Sequence, residues 1–310
     1  MDERLKKFVQ LVDAGSYTKA AGELHVSQPA LSVAIAKLER ELRAPLLVHG
    51  VRPLALTPAG QLAYNTGKDM LLKTSNLRTL LAELEQREVA VSVGMIDSVA
   101  GMLFASPQSV DELERNTSVS LVVDNSRNLL QAVERGQLDV AFVVGRQNYS
   151  AALEVVNRAS EPLVVVCHVA QRARFNRAAR SGRLPHFISY NQASNTYQLV
   201  VEALQERRVM LDTTFYSTSP EVILRLVLLQ RGVAALPYLL VREHLDAGAL
   251  TLVGQPRPYT VHRPIHAVKR RDTVLAAPLV HTAWRVGVLL DVIETQADAL
   301  LGVPTKSRGR

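Results

Sequence analysis

Leu24-His25-Val26-Ser27-Gln28-Pro29-Ala30-Leu31-Ser32 is the stretch whose reading decides the fold. His25-Val26 interrupts a helical pattern, and Ser27 offers a hydroxyl N-cap for the next helix. Pro29 then sits in the first turn, where a missing N–H costs nothing. From there Leu31, Ile35, Leu38 and Leu42 recur on one face, the stripe that buries a helix against a core. The residues left pointing outward near the helix start are Gln28, Pro29, Ser32, Val33 and Ala36. Upstream, Leu5, Phe8, Val9, Leu11 and Val12 predict a first helix that stops at Ala14-Gly15. Ser16 can cap a short second helix through Thr18, Ala20, Ala21 and Leu24. Two short helices, a brief break and a third helix exposing Gln and Ser form helix-turn-helix geometry. A helical hairpin buried in an ordinary core has the same periodicity and stays open at this point.

Further along, Pro45-Leu46-Leu47-Val48 and Leu54-Ala55-Leu56 read as two short strands around His49-Gly50-Val51-Arg52-Pro53. Such a hairpin would be a wing with Arg52 at its tip beside a phosphate. Thr57 then caps a helix with Pro58 at its first position.

Gly15-Ser16-Tyr17-Thr18-Lys19-Ala20-Ala21, the stretch from Leu24 to Ser32, Leu38-Glu39 and Leu54-Ala55-Leu56-Thr57-Pro58-Ala59-Gly60 closely resemble the DNA-binding domain of LysR-type transcriptional regulators. The candidate DNA-contacting residues are Ser16, Thr18, Ser27, Gln28, Pro29, Ser32, Val33, Lys37 and Arg52. The sequence also departs from the family. Where relatives often carry Arg or Gln after the second serine, and more Arg a turn later, it has Val33, Ala34 and Ala36, and Lys37 is the only base nearby. Fewer cationic contacts imply weaker non-specific binding and a shallower salt slope.

From Pro58 to about Glu88 there is no internal proline, and Leu62, Met70, Leu77, Leu80, Leu81 and Leu84 supply apolar positions. A helix of that length needs a partner for its stripe: a second subunit, or its own domain. The resemblance implies the former, with paired DNA-binding domains reading a roughly palindromic operator.

Beyond this helix β-rich runs alternate with helical stretches, which predicts parallel α/β architecture. Val89–Val93, Val119–Val123, Val140–Val144, Leu163–Val166 and Gly232–Leu236 read as buried strands. Open α/β sheets bind ligands at the carboxyl ends of strands, near helix N-termini. Ser98, Asn125, Ser126, Tyr190, Asn191 and Ser219 occupy such loops, although each alone reads equally as a cap or turn. Asp97 either faces the ligand, where it would oppose a plain carboxylate and favour one bearing an amine, or caps a helix or pairs with Arg.

Gly136-Gln137-Leu138-Asp139-Val140-Ala141 and Gln230-Arg231-Gly232-Val233-Ala234-Ala235-Leu236-Pro237 are similar to stretches of the family's effector domain, with Gln230 replacing a glycine. That resemblance implies a periplasmic-binding-protein-like fold of two lobes with an effector in the cleft. Ser98 and Ser126 match first-lobe positions that often hold an effector carboxylate, and Tyr190, Asn191 and Ser219 match the second-lobe wall. The chain would cross near Glu161-Pro162 and return near Arg263-Pro264.

The expectation is therefore an α/β protein with a winged helix-turn-helix over 1–58, a linker and dimerisation helix over 59–87, and an effector-binding domain over 88–301. Lobe I would comprise 88–161 and 264–301, lobe II 162–263, and 302–310 would form a disordered tail. Its expected partners are double-stranded DNA, a small-molecule effector of anionic character, a second copy or three further copies of the chain, and RNA polymerase.

Thirty-six Lys and Arg against 29 Asp and Glu give a net charge of +7, which fits nucleic acid without proving it. Residues 172–183 are Arg-rich, which fits an amphipathic solvated helix, an anion-attracting patch or a contact to bent DNA. No signal peptide or apolar run of membrane length is read, so a cytoplasmic protein is expected. The single Cys167 lies in a Val/Leu run and reads as a small buried hydrophobe. No nucleophile elbow, phosphate loop or metal-ligand spacing appears, so no enzyme, cofactor or metal is expected. A nucleoid-type DNA binder without an effector and a solute-binding protein are the alternative readings.

Overall fold

The computed structural model describes residues 2–48, 53–84, 89–104, 117–145, 148–254 and 257–275, with Val286 and Leu290. They fall into two compact units, one within 1–87 together with 272–274, the other within 88–271 and 275–310.

The first unit is built from α1 (Asp2–Ala14), α2 (Tyr17–Glu23), α3 (Gln28–Leu42) and α4 (Pro58–Leu84). Phe8, Leu11, Ala20, Leu31, Ile35 and Leu38 are buried together in its core. Ser16 caps α2 by accepting from the Lys19 N–H, and Ser27 caps α3 by accepting from the Ala30 N–H. The loop after α3 is held by Glu39, whose Oε1 accepts from the N–H groups of Leu46 and Leu47 at 2.7 and 3.2 Å. Among the described residues the expected wing strands meet in an antiparallel bridge, Leu47 opposite Leu56, with the Val48 N–H donating to the Ala55 carbonyl. Arg52 lies outside the described residues. Gly60 is required by contact: a Cβ there would stand 1.9 Å from the Leu46 carbonyl oxygen. Tyr64 on α4 donates to Asp13 on α1 at 2.6 Å, fixing the start of the long helix. Leu62, Met70, Leu77, Leu80 and Leu81 remain exposed along it.

The second unit is a mixed sheet in the order β2-β1-β3-β9-β4-β7-β5-β6, with β8 added to β4. Its strands are β1 (Val89–Met95), β2 (Thr117–Val123), β3 (Val140–Val144), β4 (Leu153–His168), β5 (Arg183–Tyr190), β6 (Met210–Ser217), β7 (Val233–Pro237), β8 (Leu250–Leu252) and β9 (Thr260–Arg270). The helices are α5 (Asp97–Leu103), α6 (Ser126–Glu134), α7 (Arg172–Arg180), α8 (Asn195–Glu206), α9 (Pro220–Leu228) and α10 (Tyr238–Asp246). Within each lobe the strands run parallel, β1 with β2 and β3 in lobe I, β5 with β6 and β7 in lobe II. The antiparallel pairs involve β4 and β9, which pair with each other, β4 also with β7 and β8 and β9 also with β3. They are antiparallel because they carry the chain out of lobe I and back, with no helix returning it on the same side. At the passage Pro162 opposes His262 and Ser160 opposes Pro264, so two ladder donors are missing where the lobes join.

Phe175, Leu184, Phe187, Val200, Leu204 and Val233 form the lobe II core. Burial pushes the Cys167 thiol up to about 12, which leaves it an inert packing group. On α7 Phe175, Asn176 and Ala179 are buried while Arg172, Arg174, Arg177 and Arg180 are exposed, an amphipathic helix with a solvated basic face.

Candidate effector cleft and nucleic-acid interface

In the first unit the stripe on α3 does what its spacing demands. Leu31, Ile35 and Leu38 are buried, so Gln28, Pro29, Ser32, Val33, Ala36 and Lys37 are left on the exposed face. Thr18 lies beside them, its hydroxyl donating to Gln28 Oε1 at 3.5 Å. Val33 is 53% exposed, a large apolar group beside Ser32 and Lys37 on that face. Ser16 and Ser27 use their hydroxyls as helix caps, so their contribution to any ligand is positional. Capped N-termini of this kind present backbone N–H groups to an anion.

In the second unit all seven candidate effector residues line one cavity of about 560 Å³. Lobe I contributes Ile96, Asp97, Ser98, Asp124, Asn125, Ser126, Arg127, Asn128 and Val144. Lobe II contributes Tyr190, Asn191, Ala193, Ser194, Asn195, Thr196, Thr218, Ser219 and Pro220. Arg263 completes the wall from the returning strand. The reason is topological: each of these loops leaves the carboxyl end of a parallel strand and enters a helix, so four helix starts converge.

Several of the seven already have a structural task. Asn125 caps α6 by accepting from the Asn128 N–H, and its amide donates to Asp124 at 2.9 Å. Ser219 caps α9 by accepting from the Val222 N–H at 3.4 Å. Ser126 Oγ accepts from the Val144 N–H at 3.0 Å, tying α6 to the end of β3. The Asn191 side chain accepts from the Ala193 N–H at 2.9 Å, closing a local turn.

Ser98 belongs to a larger network that the sequence did not reveal. Arg263 is 3% exposed and Glu161 5%, and the two form an ion pair. Arg263 Nε donates to Glu161 Oε2 at 3.0 Å, Nη1 to Thr196 Oγ1 at 3.0 Å and Nη2 to Ser98 Oγ at 2.7 Å. Ser98 in turn donates to Glu161 Oε2 at 3.1 Å. One guanidinium therefore holds the first turn of α5 in lobe I and the first turn of α8 in lobe II. Burial alone would depress the Arg263 guanidinium, but the Glu161 carboxylate outweighs it and raises its pKa.

Asp97 and Tyr190 are different, because no side-chain hydrogen bond holds either among the described residues. Asp97 opens α5, whose N-cap Ile96 makes no side-chain cap, and its carboxyl is open to the cavity. Even so, its wall desolvates it: burial and the nearby Asp124 raise its pKa above the ordinary carboxylate value, against the pull of Arg263. The Tyr190 hydroxyl is buried without a hydrogen-bond partner, and burial pushes its phenol well up.

A chain that carries both a helix-turn-helix unit and a two-lobed α/β unit with a cleft between its lobes defines a class of two-part helix-turn-helix proteins. The comparisons with known proteins name the family within it. Residues 3–61 match the bacterial regulatory helix-turn-helix protein, lysR family, and residues 85–286 match the LysR substrate binding domain. The chain belongs to the LysR family. It is 31% identical over 166 residues to the Hca operon transcriptional activator HcaR of Escherichia coli (strain K12), covering 53% of this chain and 56% of that protein. The chain spans about half the length of the curated relatives it matches. Among solved structures it is similar to ArgP from Mycobacterium tuberculosis, with a TM-score of 0.64 at 20% identity over 93% of this chain and 96% of that one. A full-length OxyR variant from Pseudomonas aeruginosa gives a TM-score of 0.63 at 21% identity, covering 100% and 99%. These likenesses establish the fold.

Sequence reasoning missed Arg263 as a cleft residue, and with it Glu161 and Thr196. Arg263 was legible only as part of a hinge, because nothing local marks an arginine inside a strand as facing a cavity. Asp124, Arg127 and Asn128 were also passed over, although Asp124 stands next to Asn125 at a strand end and shares its loop logic.

Proposed function

We propose that the chain is a transcriptional regulator that binds double-stranded DNA through α3 and senses a small molecule in the cleft. The observation that carries this is the convergence of Asp97, Ser98, Asn125, Ser126, Tyr190, Asn191 and Ser219 on one cavity, in a chain that also presents Gln28, Ser32 and Lys37 on an exposed, N-capped helix. A solute-binding protein would have no use for the second feature, and a nucleoid-type binder none for the first.

In this reading the N-terminal part of α3 enters the major groove, where Gln28 and Ser32 meet base edges and Val33 a thymine methyl. Ser16, Thr18, Ser27, Pro29, Lys37 and Arg52 position the unit on the phosphates. Two copies pair through the exposed apolar side chains of α4, giving a homodimer or, with further contacts, a homotetramer on a roughly palindromic operator. The boundaries 1–58, 59–87 and 88–301 describe these parts. The effector acts by favouring one pose of the lobes over another, which changes DNA bending and contact with RNA polymerase. The cytoplasm is the compartment such a role requires, and we assign the chain no catalytic step. No helix among the described residues is long and apolar enough to cross a membrane.

The test is a footprint of the full chain on fragmented genomic DNA from its own source, with and without metabolite extract. Discrete two-fold symmetric sites altered by the extract support the proposal. Diffuse, salt-sensitive binding with no preferred site favours the nucleoid-type reading instead.

A further inference from the structure

The cleft is electrically lopsided. Lobe I places two carboxylates on the wall, Asp97 and Asp124, and Asp97 lies close enough to feel the charge of Asp124. Asp124 accepts from Asn125 and Asn128, all neutral donors. The cations at hand answer them only in part. Arg263 is engaged by Glu161 in a buried pair, and its pull on Asp97 is weaker than the push from burial and from Asp124. Arg127, an exposed residue of the lining, is not among the charges that act on Asp97. Among the described residues no third acidic, His or Cys side chain joins the two carboxylates to make a metal site.

The lobe II wall has the opposite character. From Asn191 to Pro220 the lining residues include no charged side chain. Ser194 caps α8 through the Tyr197 N–H, so the N–H groups of Asn195 and Thr196 face the cavity edge without an intrahelical acceptor. α8 is twelve residues long, so its positive end is a real source of field. Tyr190 also lines the cavity; it is 94% buried, and its hydroxyl has no hydrogen-bond partner among the described residues. A buried hydroxyl without a partner costs stability unless something else fills the role, and Tyr190 is one of the residues lining the cavity.

We infer that this cleft takes a small zwitterion, an amino acid or a close homologue, with its ammonium against Asp97 and Asp124 and its carboxylate against Tyr190 and the first turn of α8. The inference rests on the reading of the cleft as an effector site and narrows it from an anionic ligand to a dipolar one. A plain carboxylate satisfies lobe II and leaves the two aspartates repelling each other. A plain amine satisfies them and leaves the opposite wall unpaired. A molecule carrying both charges meets both walls, and a cavity of about 560 Å³ holds one of amino-acid size with room to spare.

The test uses the full chain and its thermal unfolding midpoint with three matched sets of probes. These are the standard amino acids, the amines left by removing their carboxyl groups, and the acids left by removing their amino groups. One or more amino acids should raise the midpoint by binding the native state, each more than its own amine or acid. Asp97→Asn should weaken that amino acid on the order of ten- to a hundredfold, the worth of a hydrogen bond to a charged group, and leave the matched acid unaffected. Asp124→Asn should act in the same direction, which guards against a local fault in one variant. An acid that binds as tightly as its amino acid, with no response to Asp97→Asn, overturns the zwitterion assignment. So does a panel in which nothing stabilises the chain. Neither result touches the regulator reading if the same preparation still gives discrete footprints that extract alters, so the two failures are separable.

Discussion

Glu161 and Arg263 stand directly opposite one another across the antiparallel pair of β4 and β9, where both strands pass between the lobes. Two charges taken out of water at a hinge persist because each satisfies the other and because Ser98 and Thr196 complete the guanidinium's hydrogen bonds. Any motion that separates Ser98 from Thr196 must work against this one side chain.

Arg263→Ala removes the partner and leaves the Glu161 carboxylate buried. The expected cost is about 3–5 kcal/mol of unfolding free energy. Combining it with Glu161→Leu should restore most of that, because the uncompensated charge is the main penalty. Denaturant unfolding of the single and double variants measures both, and additive losses would contradict the argument.

Tyr190→Phe deletes a hydroxyl that has no partner among the described residues. Stability without ligand should be unchanged or higher, by up to about 1 kcal/mol, while any ligand-induced rise in the midpoint shrinks. A clear loss of ligand-free stability would show that the hydroxyl has a structural role.

Asp97 supplies a pH test. Its folded-state pKa lies above the unfolded value, so the native state holds the proton more tightly. The stability this contributes is fully present below the unfolded pKa and is lost as pH rises through the folded one. Asp97→Asn should therefore stabilise the ligand-free chain at pH 7, by less than about 1 kcal/mol because the carboxyl is open to solvent. The difference should vanish as pH falls below the carboxylate range. Unfolding midpoints across pH read this directly, and a destabilised Asn variant at neutral pH would mean that Asp97 has a cation the account omits.

On α3, Gln28→Ala or Ser32→Ala should reduce operator discrimination by about 1–3 kcal/mol, while Lys37→Ala weakens binding uniformly and lowers the salt slope by about 1. Quantitative footprints on matched and mismatched sites separate the two behaviours.

Where the signal was local, the sequence was legible. Ser27, Pro29 and the Leu31–Ile35–Leu38 stripe set α3 within their own fifteen residues, and capping chemistry marked α2, α4 and α6 as well. The seven cleft residues were found because strand ends in α/β sheets have a known use, so position alone selected them. Two things escaped. β4 runs from Leu153, but its first half alternates without a continuous apolar run, so only Leu163–Val166 stood out. β9 places Arg263 opposite Glu161, about a hundred residues away in sequence, and that register exists only once the sheet forms. The wing strands were legible from composition: among the described residues Leu47 bridges Leu56, the Val48 N–H donates to the Ala55 carbonyl and the Thr57 N–H to the Leu46 carbonyl.

The most direct test of the central claim, that a ligand in the cleft governs what α3 does on DNA, is the genome-wide footprint repeated with the Asp97→Asn and Tyr190→Phe chains. The account predicts discrete two-fold symmetric sites for all three proteins, with the protected length altered by metabolite extract in the parent chain and unaltered, or much less altered, in the two variants. Equal responses to extract in all three, or no preferred sites in any, would contradict it.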